Sequence, residues 1–207
     1  MNTNQQQPGV EDLFQALPPV DEEANRRLHR RLVDAADAGG ILDVAYRTID
    51  TPVGSLLLAA TEEGLVRVAY PGQGHEQVLA KLAERVSPRI LLAPRRLDAV
   101  ALELDEYFAG RRDSFDLPLD WRLSHGFRRR VLAYLPRIGY GHTASYATVA
   151  AGAGNPRAVR AVGTACATNP LPIVVPCHRV VRSDGTIGGY AGGPQAKRTL
   201  LALEAAA

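Results

Sequence analysis

The chain has 207 residues, 46% of them hydrophobic and 22% charged, with a formal net charge of +2. That content suffices to bury a core in one large domain or two small ones, and it excludes disordered and fibrous classes. With only two cysteines, no apolar run of membrane-spanning length and no basic-then-apolar leader in residues 1–9, the expectation is a cytoplasmic protein with free thiols and no membrane partner.

Residues 1 to 20 are rich in Gln, Pro and Gly with little periodicity, which predicts flexibility. Residues 21–37 then place Ala24, Leu28, Leu32 and Ala35 at helical spacing before Gly39-Gly40. Residues 1–40 are therefore read as an N-terminal extension, partly disordered, with one helix. Segments 44–49, 55–60 and 65–70 are separated by Thr51-Pro52-Val53-Gly54 and Glu62-Glu63-Gly64, a pattern that predicts a three-stranded meander. Helical patterns follow at 75–86 and 95–108, the second closed by Gly110, and an α+β domain over residues 41–120 results.

A second domain, 121–207, opens with a predicted helix at 124–135, stopped by Pro136. A short helix at 146–151 breaks at Gly152-Ala153-Gly154, and Asn155-Pro156 begins another with a capping residue followed by proline at the first helical position. The pair reads as a helix-turn-helix, with a plain helical hairpin carrying a solvated basic face as the alternative. At about 100° per residue, the second helix turns Val159, Val162 and Cys166 to the core and Arg157, Arg160, Ala161 and Thr164 outward. A small, cationic face can approach a nucleic-acid groove closely. Charge agrees with this: residues 121–207 carry eleven Lys and Arg against Asp184 and Glu204, a formal +9, whereas residues 1–120 sum to −7. One half of the chain is suited to a polyanion.

Pro176-Cys177-His178-Arg179-Val180 is the segment with most chemical content, a thiol between a proline and an imidazole directly after the apolar Ile173-Val174-Val175. Such a cysteine is either a core residue with polar neighbours or a nucleophile. If the segment is extended, Cys177 and His178 point to opposite sides, so the imidazole reaches the thiol through a water. Neither cysteine has metal-like spacing to another, and no metal or organic cofactor is implied.

Tyr146, the run from Asn155 through Gly163, Asn169-Pro170, the run from Pro172 through Val180, Gly188-Gly189-Tyr190 and Lys197-Arg198 through Glu204 together resemble the O6-alkylguanine-DNA alkyltransferases, also called methylated-DNA-protein-cysteine methyltransferases. The resemblance covers residues 127–204 closely. Residues 46–60 resemble the family's ribonuclease-H-like domain more loosely. It implies an α+β fold: a ribonuclease-H-like sheet-and-helix domain followed by a helical domain with a helix-turn-helix, winged-helix-like motif and an active-site loop. It also implies direct-reversal DNA repair, in which an O6-alkylguanine is flipped from duplex DNA and its alkyl group passes irreversibly to Cys177; O4-methylthymine is a further candidate substrate.

In family terms, His178 and Glu204 complete a water-inserted triad, Tyr146 assists base rotation and bonds the flipped guanine, and Asn169 ties the helix-turn-helix to the active-site segment. Arg160 is the finger that fills the vacated stack, Arg157 meets phosphate, and Ala158, Ala161 and Thr164 line the minor-groove face. Tyr190, Val180, Ala191 and Gly192 form the guanine pocket. Ala191 stands where several relatives carry serine, and Ala167 where a relative offers a DNA-contacting arginine. The partner implied is double-stranded DNA bound through the minor groove by a monomer, nucleoid-associated in a bacterial-type cytoplasm, with cooperative binding left open. Two other readings stand beside it: a lesion-binding protein without transfer, a class that lacks the acceptor cysteine which this chain has at Cys177, and a cysteine hydrolase using Cys177 and His178, which has no use for the basic helices.

Overall fold

The run Leu56-Leu57-Leu58-Ala59 alternates faces, and the sheet buries both. In a computed structural model of the chain, which describes residues 21–206, β2 (Gly54–Thr61) lies antiparallel between β1 (Val44–Thr51) and β3 (Gly64–Ala69). The flexibility expected of residues 1–20 falls outside the described residues. Leu56 and Leu58 enter the larger core, while Leu57 and Ala59 enter a second cluster with Val78 and Leu82 of α2 (His75–Arg85). With both faces apolar, the register is set by the tight connections that pair Thr51 with Gly54 and Thr61 with Gly64. Gly64 holds φ 133°, and a Cβ there would run into the Pro118 carbonyl.

The meander is joined by a strand that the sequence reading did not contain, β4 (Ile90–Leu92), which runs parallel to β1 and gives the order β3-β2-β1-β4. Three residues are too few to show a period of two. A 3₁₀ turn at Pro94–Leu97 leads into α3 (Asp98–Phe108), whose buried stripe is Val100, Leu104 and Tyr107.

The leading helix, α1 (Glu22–Ala38), is capped as its sequence suggests, with Asp21 Oδ1 accepting from the backbone amides of Glu23 and Ala24 at 3.0 and 3.1 Å. Its packed face is not the expected one. Leu28 and Leu32 are 58% and 53% exposed, and the inner side is Val33 and Ala36. Two polar ties accompany this rotation: His29 Nε2 donates to the Leu92 carbonyl of edge strand β4 at 2.6 Å, and Asp37 pairs with Arg96.

In the second half, α4 (Gly126–Tyr134), α5 (Tyr146–Gly152) and α6 (Val159–Ala167) pack on one another, and α7 (Gly193–Ala205) follows. Two short strands, β5 (Ala144–Ser145) and β6 (Val180–Val181), run parallel. Helix α6 begins later than the Asn155-Pro156 signal suggests. Asn155 Oδ1 accepts from the Arg157 amide at 3.3 Å and the Asn155 carbonyl from the Ala158 amide at 3.0 Å, so these residues form a turn in front of the helix. Asn and Pro favour this turn as strongly as a cap. Val159 is consequently the first helical residue and is 37% exposed instead of buried; the inner face is Val162, Ala165 and Cys166.

One continuous core joins the halves, with Leu56, Leu58, Leu104 and Tyr107 packed in the same cluster as Leu132, Val175 and Cys177. The edge of β3 is covered by the chain that leads to Cys177: the Val68 amide donates to the Pro170 carbonyl at 2.8 Å, and Leu65 bridges to Leu119. This closes an otherwise open sheet edge and fixes the active-site segment against the sheet.

Candidate active site and nucleic-acid face

Cys177 opens a 3₁₀ turn, Cys177–Arg179, which replaces the extended segment expected from sequence. The turn is reached through residues 171–176, where Ile173 holds φ 75° while 1% exposed. A β-branched residue in that region costs roughly 1–3 kcal/mol and persists where its surroundings over-determine it. Here Asn169 is the tie. Its Nδ2 donates to the Val175 carbonyl at 2.9 Å and to Cys177 Sγ at 3.2 Å, and its Oδ1 accepts from the Leu171 amide at 2.9 Å. One buried side chain thus joins the end of α6 to the thiol.

Cys177 itself is 1% exposed. Burial pushes its thiol up to about 11, against the pull of the Asn169 hydrogen bond and the Lys197 charge. A standing thiolate is therefore scarce near neutral pH, and the proton must be handed to a base when the thiol reacts. His178 is fully buried, and its Nε2 lies 2.8 Å from Glu204 Oε1. A carboxylate only accepts, so Nε2 carries the hydrogen. Burial lowers the proton affinity of His178, and the adjacent Arg179 and Lys197 act in the same direction against Glu204. The imidazole is thus neutral, with its lone pair on Nδ1, an atom that is buried without a protein partner.

Glu204, near the end of α7, is saturated with donors. Arg179 Nε and Nη2 reach its two oxygens at 2.9 Å each, and the Tyr107 hydroxyl donates to Oε1 at 2.7 Å. Burial alone would raise this carboxyl, but the hydrogen bonds from His178, Arg179 and Tyr107 bring it down to about 2. Arg179 also bonds the Ile138 carbonyl at 2.6 Å. Lys197, seven residues before Glu204 on α7, is fully buried, and its Nζ donates to the Val180 carbonyl at 2.5 Å. Arg179 and Glu204 neutralise each other, whereas Lys197 has no carboxylate partner among the described residues. Tyr107, Arg179 and Lys197 carry no role in the sequence reading. Lys197 and Glu204 fall in register with the buried Ala196 and Leu200 of α7, and charges in core register are the signal that identifies them.

The expected guanine-pocket residues surround this centre. The buried Val180 begins β6 beside Ala144, and Tyr190 stands edge-on to His178 at 6.3 Å between ring centroids. The Tyr190 hydroxyl bonds that of Tyr70, from the end of β3, at 2.9 Å. Ala191 is half-buried, and a Cβ on Gly192 would meet the Tyr70 ring at 2.6 Å. Half-buried Tyr146, first in α5, lies so close to Gly188 that a Cβ there would strike its hydroxyl. These residues and the Cys177 turn form one neighbourhood. The α6 residues form another: Arg157, Arg160, Ala161 and Thr164 are exposed together and Ala158 is half-buried. Among the described residues no three potential metal ligands converge, and no helix is long and apolar enough to cross a membrane.

Comparison with known proteins places both halves. Residues 44–121 match the 6-O-methylguanine DNA methyltransferase ribonuclease-like domain, and residues 126–206 match the DNA binding domain of the same proteins. A methylated-DNA–protein-cysteine methyltransferase of Mycolicibacterium paratuberculosis is 42% identical over 161 residues, covering 78% of this chain and 92% of that protein. The Bacillus subtilis constitutive protein of the same name is 37% identical, over 77% of this chain and 94% of its own length. The crystal structure of the Mycobacterium tuberculosis O6-methylguanine methyltransferase superposes with a TM-score of 0.70 at 39% identity, covering 79% of this chain and 93% of that one. The same M. tuberculosis protein in complex with DNA gives 0.69, also at 39% identity, over 78% of this chain and 93% of that one. By sequence and by fold, the chain belongs to the methylated-DNA–protein-cysteine methyltransferase family.

Proposed function

We propose that this chain is a single-turnover DNA repair protein that removes the alkyl group of O6-alkylguanine, chiefly O6-methylguanine, onto its own Cys177. The observation that carries the reading is the relay: a buried thiol beside a neutral imidazole whose Nε2 is anchored to Glu204 and whose Nδ1 is unpartnered. The Cys177 proton passes through a bridging water to Nδ1. Sulfur then attacks the O6-methyl carbon; the S–C bond forms, the C–O6 bond breaks, and its electron pair leaves on guanine. The proton lost by Cys177 ends on the guanine, so the products are S-methylcysteine and unmodified guanine. A soft thiolate suits displacement at a saturated carbon, and the product thioether has no hydrolytic route back.

DNA is the partner, bound as duplex through the minor groove by a monomer. The exposed α6 face supports this, since its small residues permit close approach while Arg157 meets phosphate and Arg160 enters the stack in place of the flipped base. With Cys177 1% exposed, the base reaches it as Tyr146 and the loop carrying Gly188, Tyr190 and Ala191 part around it. Tyr146 and Tyr190 then hold the guanine, Val180 and Gly192 line its pocket, and Asn169 keeps the sulfur in register. The test is repair of a duplex carrying one O6-methylguanine at increasing protein. Repaired duplex should plateau at one per protein molecule, and Cys177→Ser should give none. Turnover beyond one, or full repair by Cys177→Ser, would remove the assignment.

A further inference from the structure

Of the side chains that hold Glu204, one comes from the opposite half of the molecule. Tyr107 lies on α3 of the sheet domain and is fully buried, with its ring 5.3 Å from Phe108, 5.3 Å from Phe115 and 6.0 Å from Tyr140. Its hydroxyl donates to Glu204 Oε1 at 2.7 Å, the same oxygen that accepts from His178 Nε2 at 2.8 Å, and stands 3.5 Å from that Nε2. Burial and the neighbouring carboxylate both push the phenol's proton affinity up, so it remains a donor at every working pH.

A carboxylate shared among several donors has less charge to offer each of them. Burial opposes an imidazolium at His178 most strongly, Glu204 favours one, and Arg179 on the same turn and Lys197 on α7 add to the opposition. Cys177, Tyr140 and Tyr190 also belong to the titratable surroundings, the first adjoining His178, the second facing Glu204 and Arg179, and the third edge-on to the His178 ring at 6.3 Å. We infer that Tyr107 is a positioning residue for alkyl transfer, supplied across the domain boundary: by sharing Glu204 Oε1 with His178 Nε2 it weakens the carboxylate's pull on the ring and leaves Nδ1 free to take the thiol proton. The sheet domain thereby takes part in setting the reactivity of the site it supports. This inference rests on Cys177 as acceptor and His178 as base.

The test is Tyr107→Phe, which keeps the ring and removes only the hydroxyl. Benzylation of Cys177 by free O6-benzylguanine is followed against pH, so that DNA binding is not read. Without the shared hydrogen bond, His178 protonates more readily, and the acid limb of the rate profile should move up by about half to one pH unit. Below the limb the variant is then roughly 3- to 10-fold slower than the parent, while the plateau changes less. An acid limb that coincides with the parent's, with any loss spread evenly over pH, would reduce Tyr107 to a packing role and overturn the inference. Nitrogen chemical shifts of the His178 ring, followed against pH in parent and Tyr107→Phe, read the same effect directly: protonation at higher pH in the variant supports it, and coincident titrations overturn it. A parent protein that leaves Cys177 unbenzylated, or that has no acid limb, refutes the assignment of nucleophile and base themselves and removes the inference with them.

Discussion

Replacing Lys197 with methionine should separate folding from chemistry. The ammonium is fully buried, and its Nζ bonds the Val180 carbonyl at 2.5 Å. Burial lowers its proton affinity, while the two thiols, Cys177 and Cys166, pull it back up. Removing a buried ion returns a desolvation cost of several kcal/mol. The Val180 carbonyl in turn loses its partner, at about 1–3 kcal/mol. These effects oppose each other at similar size, so folding stability should change by no more than about 2 kcal/mol in either direction. Transfer has no such compensation, because the thiolate that forms at Cys177 loses the favourable charge of Lys197. A charge pair about 4–8 Å apart at an effective dielectric of 20 is worth about 2–4 kcal/mol, so a tenfold or larger loss of rate at neutral pH is expected. The assay is the pH dependence of Cys177 modification by O6-benzylguanine and by iodoacetamide, beside urea unfolding of parent and variant. Both reagents should report a thiol that ionises at higher pH in Lys197→Met. An unchanged thiol profile in a folded variant would refute the electrostatic role.

Acid should destabilise the protein in two stages. Folded His178 has a depressed proton affinity, so the unfolded chain binds the extra proton and stability begins to fall below about pH 6.5, the ordinary histidine value. Glu204 is held at about 2 instead of its usual 4.5, so its contribution is full above 4.5 and fades between there and 2, an effect of roughly 3 kcal/mol. Urea unfolding from pH 7 to pH 3 should show both stages, and a flat profile down to pH 3.5 would contradict the neutral-imidazole, charged-carboxylate assignment. Arg160→Ala should leave stability within about 0.5 kcal/mol, because the side chain is exposed. It should slow transfer from duplex DNA at least tenfold and leave reaction with free O6-benzylguanine near the parent rate; equal slowing of both would remove the finger role.

What the sequence reveals here depends on how local the determining physics is. The short apolar segments and the separators Thr51-Pro52-Val53-Gly54 and Glu62-Glu63-Gly64 are local, and the meander follows from them. The Pro176-Cys177-His178 segment was legible as chemistry, although it folds as a 3₁₀ turn and not as a strand. The orientation of α1 was not legible, because the groups it meets, among them a carbonyl on β4 and the guanidinium of Arg96, lie more than 50 residues away along the chain. Likewise Asn155-Pro156 fits a turn and a cap equally, and only the packed helix decides between them. Tyr107 is hidden for another reason. It continues the stripe of Val100 and Leu104, so its pattern is that of a core aromatic, and its hydroxyl acquires meaning only when α7 brings Glu204 to it.

The most direct test of the central claim is peptide mass spectrometry after mixing the protein with a duplex that carries one O6-methylguanine. The prediction is a single added methylene on the peptide containing Cys177, saturating at one per protein molecule, with Cys166 unmodified. An unmodified Cys177 peptide from folded, reduced protein would contradict alkyl transfer and leave lesion binding without chemistry as the function of this fold.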